Sequence, residues 1–210
     1  MDAYEIAVPG AWVFTPVQWP DPRGTFLEWF KDDVLEQAVG HRFTIKQANH
    51  SISGRGSLRG VHFASVPPGQ AKYVYCTRGA VLDVIVDLRV GSPTFGVHDS
   101  VLLDDVTRRG VYLPEGMGHA FVALADDTSV TYLCSEPYAP TREHAVHPLD
   151  RELDLPWPTD LEPQLSVKDA AAPSLAQALE QGLLPSYAAC TDFYAGLATG
   201  TDSRAGGNGQ

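Results

Sequence analysis

Short stretches in which apolar residues alternate with polar ones dominate the pattern along this chain. Stretches rich in Val, Leu, Tyr and Thr are separated by turn residues, a pattern that predicts β-strands. The strands are expected at residues 72–78, 81–88, 98–103, 110–113, 119–124 and 128–135. Many short strands with Gly and Pro between them favour a sandwich or a closed jelly roll over a fold of alternating strands and helices.

The strand predicted at 81–88 has two unlike faces. Its even positions, from Leu82 to Leu88, are all apolar, whereas two aspartates, Asp83 and Asp87, stand among the odd positions. Because successive side chains of a strand point to opposite faces, the even face is expected to be core. The odd face is expected to line something polar.

Three short helices are predicted beside the strands, near residues 31–39, from 174 to 182 and at 187–197. Gly40 ends the first of them, and Ser174 with Gln177 forms a capping box at the start of the second. The chain is therefore expected to be all-β with short flanking helices.

Three segments are expected along the chain. Residues 1–172 form the jelly-roll domain, residues 173–198 form a helical extension packed on it, and residues 199–210 form a tail. The tail is rich in Gly and polar residues and has no means of packing, so it is expected to be disordered.

Composition places the chain among globular proteins. Its 210 residues are 44% apolar and 20% charged, and no apolar run approaches the length of a membrane span. The first residues lack the basic and apolar regions of a signal peptide, and the three cysteines fit neither a disulfide framework nor a zinc motif. A cytoplasmic protein with reduced thiols is expected. The net charge of −11 argues against nucleic acid as a partner.

The segment from Arg55 to Leu88 contains the first candidate chemistry, a histidine and a lysine ten residues apart. His62 follows a glycine in an apolar run, and Lys72 is one of only four lysines in the sequence. Metal-binding β-barrels usually carry a second histidine two residues after the first, but Ala64 occupies that position here. A lone imidazole is a poor metal site and a good general base, so a metal is not expected.

A series of motifs in this chain stands in a recognisable order and spacing. The motifs are Asp21–Glu28, Gln47–Ser51, Leu58–Phe63, Gly69–Lys72, Asp83–Arg89, Ser92–Gly96, Leu113–Phe121, Tyr132, Tyr138–Pro140 and Leu165–Asp169. Together they resemble the dTDP-4-dehydrorhamnose 3,5-epimerase family of deoxysugar biosynthesis. Any one motif is weak evidence, but chance would not preserve both the content and the spacing of the whole series.

The resemblance implies a cupin-like jelly-roll barrel around a deep pocket, and cofactor-free chemistry on a dTDP-4-keto-6-deoxyhexose. It also implies a homodimer with shared active sites, in which N-terminal strands lend residues to the neighbouring pocket. The C4 ketone of such a sugar acidifies the hydrogens on C3 and C5. Epimerisation then needs a base on one face, an acid on the other and a group that holds the enolate oxygen.

Four residues match the catalytic positions of the family. His62 matches the base, and Asp169 matches the acid that would fix its tautomer. Lys72 is the candidate for the enolate oxygen, and Tyr132 is the candidate acid that returns the proton. Each has a purely structural alternative. Asp169 could instead cap the helix that begins near Ser174, and Tyr132 could be an ordinary core residue.

Other positions match the family's substrate-binding residues. Arg59 and Arg23 suit the diphosphate, because a guanidinium binds phosphate in bidentate fashion. The residues matched to thymine and sugar binding, or to the pocket wall, are Phe26, Glu28, Gln47, Asn49, His119 and Tyr138. Arg23, Phe26 and Glu28 are the residues expected to serve the neighbouring subunit. Asp83 is expected to support Lys72 or His62.

Three departures from the family pattern affect the details. Ala64 replaces the family's Gln beside the base, Gly118-His119-Ala120 stands where Ala-His-Gly is usual, and the chain extends through Gly182–Tyr187. The extension resembles the antibiotic-sugar branch of the family.

Three interpretations remain open. The protein is a 3,5-epimerase of dTDP-4-keto-6-deoxy-D-glucose, a 3- or 5-mono-epimerase of the same substrate class, or a non-catalytic sugar-binding or metal-dependent cupin. The presence of all four catalytic matches favours an enzyme, and the retained Tyr132 favours reaction at both carbons.

Overall fold

The computed structural model describes residues 1–200, within which the chain forms thirteen strands and four helices. The strands are β1 Asp2–Glu5, β2 Trp12–Thr15, β3 Gln18–Asp21, β4 Gly24–Leu27, β5 Gln47–Ser53, β6 Leu58–Ala64, β7 Lys72–Arg78, β8 Ala80–Asp87, β9 His98–Asp104, β10 Gly110–Leu113, β11 Met117–Ala123, β12 Thr128–Cys134 and β13 Glu143–Ala145. The helices are α1 Asp32–Val39, α2 Val167–Ala170, α3 Leu175–Glu180 and α4 Tyr187–Thr199. All six predicted strands and all three predicted helices are present.

Two antiparallel sheets build the molecule. The six-stranded sheet has the order β1-β2-β10-β7-β12-β5, and the five-stranded sheet has the order β13-β6-β11-β8-β9. Strands β3 and β4 form a separate antiparallel hairpin. The architecture is the expected all-β jelly roll with short flanking helices.

An apolar core fills part of the space between the two sheets. Its members come from both sheets and include Val13, Val74, Cys76, Val81, Ile85, Leu103, Val111 and Val130. Along β7 the inward-facing side chain changes from Lys72, at a cavity, to Val74 and Cys76 in this core. One end of the barrel interior is therefore packed, and the other end is left open for polar side chains.

Strand β8 shows how the sequence pattern relates to the two faces of its sheet. Its even positions Val84 and Val86 pack in a second cluster outside the barrel, together with Leu175 of α3. Its odd positions face the interior, where Ile85 is core and Asp83 bonds a histidine at the cavity. The expectation of a core face and a mixed polar face is confirmed.

The helices after residue 172 pack on the barrel. Both bonds of the predicted capping box at Ser174 and Gln177 are present at the start of α3. Helix α4 is tied to the chain after β8 by a parallel bridge between Val90 and Ser186, and it buries Cys190. No helix within residues 1–200 is long and apolar enough to cross a bilayer.

The predicted tail falls largely outside the described residues. Thr199 is the last residue of α4, and Gly200 is its C-cap with φ of 67°. Residues 201–210 lie outside the described part of the chain. The division of the chain at residue 172 remains a prediction.

Several elements carry too weak a signal for the sequence to predict. Strands β1, β3 and β4 have four residues each and are almost entirely exposed, so no apolar alternation marks them. Strand β5 is longer, but its inward positions, from Gln47 to Ser53, are polar because they face the cavity side. Short β13 and α2 were likewise not predicted.

Candidate active site

His62 and Asp169 form a hydrogen-bonded pair at the wall of the interior cavity. The Nε2 atom of His62 on β6 lies 2.6 Å from Oδ1 of Asp169 in α2. The Ser166 hydroxyl donates to the other carboxylate oxygen, Oδ2, at 2.9 Å. Burial raises the pKa of the Asp169 carboxyl, but the bonds from His62 and Ser166 and the electrostatic influence of His62 outweigh it and hold the pKa below 3.8. The structure thus joins two residues that are 107 positions apart in the sequence.

The alternative role of Asp169 as a helix cap is not what the structure shows. Ser174 is the N-cap of α3, and Ser166 is the N-cap of α2. Asp169 is almost fully buried, and its side chain is turned to His62. With Nε2–H donated to the carboxylate, Nδ1 of His62 carries the lone pair that a base needs.

A β-bulge in β6 explains how two residues three positions apart both line the cavity. His62 pairs with His119 of β11, but Arg59 pairs with Phe121, so three steps on β6 oppose two on β11. In a regular strand, side chains three positions apart point to opposite faces. Gly60 sits in the bulge with φ of +114°, and a Cβ there would lie 2.4 Å from the carbonyl oxygen of His119. Only glycine fits this close approach.

Lys72 and Tyr132 stand on the other sheet, facing the same cavity as His62. Lys72 is 8% exposed, and burial lowers the pKa of its amine, although the negative charges of Glu143 and Asp83 oppose that shift. Burial raises the pKa of the Tyr132 phenol above 10.0, against the influence of Arg59. At neutral pH Tyr132 therefore keeps the proton that an acid must supply.

Asp83 is hydrogen-bonded to His119 and not to His62. Oδ2 of Asp83 lies 2.8 Å from Nε2 of His119, and both side chains are buried. Asp83 has no hydrogen bond to His62 or Lys72 among the described contacts, and its influence on Lys72 is electrostatic. The expected support of Lys72 is therefore electrostatic only, and the hydrogen bond of Asp83 orients His119, which lines the cavity beside His62.

Two adjoining cavities make up the site. One has a volume of about 440 Å³ and the other about 210 Å³. The two cavities share four lining residues, His62, Lys72, Tyr132 and Lys168. Of the other predicted site residues, Arg59 and His119 line the larger cavity, while Gln47, Asn49 and Tyr138 line the smaller one. Three of the four proposed catalytic residues therefore lie at the junction, and Asp169 lines the larger cavity alone.

The hairpin residues stand apart from this site. Arg23, Phe26 and Glu28 line neither cavity of their own chain. The Arg23 side chain is exposed and pairs with Asp21, and Phe26 is 68% exposed with its ring against Trp19. Within a single chain, these three residues therefore do not contribute to the site formed by the two cavities.

Some lining residues were not singled out from the sequence. Lys168 lines the cavity and adjoins Asp169 within a recognised motif, and that position could have identified it as a site residue. Glu143 and His144 line the smaller cavity from β13, a three-residue edge strand without a strand pattern. Ser51 and Gln70 also lay in recognised motifs without an assigned role.

The described part of the chain has no group of side chains suited to binding a metal ion. Among residues 1–200, no three or more His, Cys, Asp or Glu side chains are grouped so that they could hold an ion. The histidines that line the larger cavity, His62 and His119, are each hydrogen-bonded to a carboxylate.

The fold and cavity define a jelly-roll protein in which a histidine on one sheet, paired with Asp169 of α2, faces a lysine and a tyrosine on the other sheet. The sequence profile described as dTDP-4-dehydrorhamnose 3,5-epimerase matches residues 5–177. The chain belongs to this family, and it is an epimerase.

Similar proteins include both 3,5- and 3-epimerases. A dTDP-4-dehydrorhamnose 3,5-epimerase of Mycolicibacterium smegmatis is 58% identical over 193 residues, which cover 92% of this chain and 95% of that protein. A dTDP-4-dehydrorhamnose 3-epimerase of Streptomyces niveus is 54% identical over 185 residues, 88% of this chain and 89% of that protein. The solved structure of the Mycobacterium tuberculosis rmlC epimerase has a TM-score of 0.92 at 49% identity, covering 94% of this chain and 100% of that chain.

These matches bear on the C-terminal extension. A match over 193 or 185 of 210 residues must reach beyond residue 182, wherever it begins. Relatives of both kinds therefore share part of the extension. Its presence does not separate 3,5-epimerases from 3-epimerases.

Proposed function

We propose that the protein catalyses the cofactor-independent 3,5-epimerisation of dTDP-4-keto-6-deoxy-D-glucose. The observation that carries this proposal is the placement of His62 and Tyr132 on facing sheets of one cavity. Inversion at carbon needs a proton removed from one face and returned to the other. A base and an acid on opposite walls satisfy that requirement with a bound sugar between them.

The first step is removal of a proton next to the C4 ketone. Nδ1 of His62 takes the proton from C3 or C5, and the electron pair of the broken C–H bond forms an enolate with its charge on the C4 oxygen. Asp169 stabilises the imidazolium that results, because its pKa below 3.8 keeps it ionised at neutral pH. A placed base of this kind contributes about 10²–10⁴ in rate.

Lys72 is the group proposed to stabilise the enolate oxygen. Its side chain is buried at the wall of the cavity, where water screens a charge less than at the protein surface. A preorganised donor at developing negative charge contributes about 3–4 kcal/mol to the transition state. Tyr132 then gives its phenolic proton to the carbon from the opposite wall, and the enolate returns to the ketone with inverted configuration.

Substrate binding is divided between the two cavities. Arg59 and Lys168 supply positive charge for the diphosphate, which a chain of net charge −11 must concentrate locally. Gln47, Asn49 and Tyr138 supply amide and aromatic groups for the thymine or sugar. Gln47 and Asn49 bond each other at 2.9 Å, and the Tyr138 backbone donates to Gln47, so these groups are held in place before ligand binds.

A 3-mono-epimerase is the second candidate, favoured by the relative of Streptomyces niveus, which is named a 3-epimerase at 54% identity. The same four catalytic groups suffice for inversion at one carbon. The difference lies in whether both C3 and C5 can be presented to His62. A non-catalytic or metal-dependent cupin has no such support.

We also propose a cytoplasmic homodimer in which each hairpin of β3 and β4 completes the partner's pocket. Three residues matched to the family's binding positions lie on or beside that hairpin and away from their own cavities. Exposed aromatic rings at Trp19 and Phe26 give the hairpin an apolar surface suited to an interface.

Proton NMR of dTDP-4-keto-6-deoxy-D-glucose with the protein in D₂O tests the activity. The proposal predicts loss of the C3 and C5 proton signals and formation of the doubly inverted product. Loss at C3 alone would establish the mono-epimerase. The absence of exchange at either carbon would overturn both enzymatic proposals for this substrate. His62→Ala should abolish exchange, and persistence at the wild-type rate would remove His62 as the base.

A further inference from the structure

Three chain segments meet where Lys72 begins β7. In the six-stranded sheet Lys72 pairs with Leu113, at the end of β10, and with Cys134, at the end of β12. The chain beyond these two strand ends continues into Glu115 and Ser135. Ala71, directly before Lys72, lies between them. The position of the lysine backbone therefore depends on contacts made just beyond the sheet.

A buried polar bridge joins these three segments. The Ser135 hydroxyl accepts the backbone N–H of Ala71 at 2.8 Å and donates to Oε1 of Glu115 at 3.1 Å. The backbone N–H of Ser135 also donates to the carbonyl oxygen of Ala71 at 3.0 Å. Ser135 and Glu115 are each 1% exposed. Burying a carboxylate is unfavourable compared with an apolar side chain, so a bridge of this kind is better explained by the geometry it fixes than by stability alone.

Helix α4 contacts the same bridge at Glu115 and at the neighbouring Gly116. The hydroxyl of Tyr194 donates to the backbone carbonyl of Glu115. Gly116 adjoins Cys190 so closely that a Cβ on this glycine would lie 2.6 Å from the Cys190 Sγ. The start of α4 is fixed by a backbone bond from Tyr187 to the Val90 carbonyl at 2.9 Å. The helix is thus anchored independently, and its contact with Glu115 is direct.

We infer that Tyr194, Glu115 and Ser135 are positioning residues for Lys72, and that the C-terminal helix α4 thereby sets the place of the lysine ammonium in the cavity. None of the three lines either cavity, so they act through Ala71 and not on the substrate. The inference rests on the proposed function in one respect, the role of Lys72 at the enolate oxygen. It assigns to the C-terminal extension a part in catalysis that its sequence does not indicate.

The test uses the full chain and single-atom changes in the bridge. Tyr194→Phe removes the donor to the Glu115 carbonyl, and Ser135→Ala removes both hydroxyl bonds of the bridge while keeping the backbone bond to Ala71. Ser135→Thr keeps the hydroxyl and should rescue activity. Thr191→Val is the matched control on the same helix, because within residues 1–200 the Thr191 hydroxyl bonds inside α4, to the Ala188 carbonyl. Loosening the lysine is expected to lower kcat about tenfold or more in the first two variants, with KM and dTDP affinity unchanged.

A second readout follows the lysine without activity. With only four lysines in the chain, the ε signals of isotope-labelled lysine can be assigned and titrated by NMR. Because burial lowers the pKa of Lys72, a loosened and more hydrated amine should titrate at higher pH in Tyr194→Phe and Ser135→Ala than in the wild type. An unchanged kcat and an unchanged Lys72 titration in both variants would overturn the inference. A wild-type protein inactive on the substrate would overturn the proposed function, and the titration alone would then decide the positioning role.

Discussion

At the residue scale, the proposed chemistry requires each ionisable side chain of the site to be in a particular protonation state. Asp169 is kept ionised by His62 and Ser166, and Tyr132 is kept protonated by burial, whereas burial lowers the pKa of Lys72 and nearby acidic groups oppose that shift. The four groups were identifiable from sequence because they stand in recognisable motifs. Their pKa shifts could not be predicted from the sequence, because these depend on burial and on neighbours that are distant in the chain.

Asp169→Asn is expected to lower kcat by about 10²–10⁴ with little change in dTDP affinity. An Asn amide donates to Nε2 of His62 and forces the proton onto Nδ1, where it blocks the base. The measurement is steady-state kinetics together with dTDP binding. Asp160→Asn, an exposed carboxylate paired with Arg55, serves as the control. Full activity in Asp169→Asn would show that the carboxylate is dispensable.

Lys72→Met is expected to change the pH dependence of stability in a defined direction. Because the folded-state pKa of Lys72 lies below 10.5, the unfolded chain binds more protons between the two pKa values, and wild-type stability rises with pH there. The free energy of unfolding of the wild type, minus that of Lys72→Met, should therefore increase as pH rises from neutral towards 10.5. Urea denaturation at several pH values measures it, and a difference that stays flat would contradict the burial argument.

At the element scale, the bulge in β6 is the feature on which the site most depends. It turns both Arg59 and His62 into the cavity, which regular alternation cannot do. Sequence alternation predicts strands well where one face is apolar, as in β8. It fails for β5, whose inward face is polar because it lines the cavity side, and it gives no sign of the bulge except a glycine.

Gly60→Ala is expected to destabilise the protein by about 2–4 kcal/mol and to abolish activity, since its Cβ meets a backbone carbonyl at a positive φ. The control is Gly40→Ala at the end of α1, which also has a positive φ of 85° but no atom within 4 Å of the added Cβ. At Gly40 the backbone strain alone should lower the free energy of unfolding by about 1 kcal/mol and leave kcat unchanged. Equal effects of the two changes would mean that the close approach in the bulge is unimportant.

At the scale of the whole molecule, the hairpin of β3 and β4 is the part that a single chain leaves unexplained. Arg23, Phe26 and Glu28 belong to the recognised motifs yet lie outside their own cavity. Local patterns cannot reveal which chain a residue serves, because that depends on the assembly. The family resemblance supplied the expectation of shared sites.

Mixing two inactive variants tests whether the sites are shared. Arg23→Ala and His62→Ala chains, unfolded and refolded together, should regain about a quarter of wild-type sites, because half of the dimers are mixed and each has one intact site. The matched control mixes Lys72→Met with His62→Ala. These residues belong to the same cavity of one chain, so no site is restored. A lack of recovery in the first mixture would show that Arg23 does not act across the dimer.

The central claim is that a proton leaves the sugar towards one wall and returns from the other. Tyr132→Phe tests it most directly, with solvent deuterium exchange and inversion at C3 and C5 followed side by side by NMR. Inversion is expected to slow far more than exchange, because His62 can still remove the proton and return solvent deuterium to the same face. Equal loss of exchange and inversion would contradict the assignment of base and acid to opposite sheets.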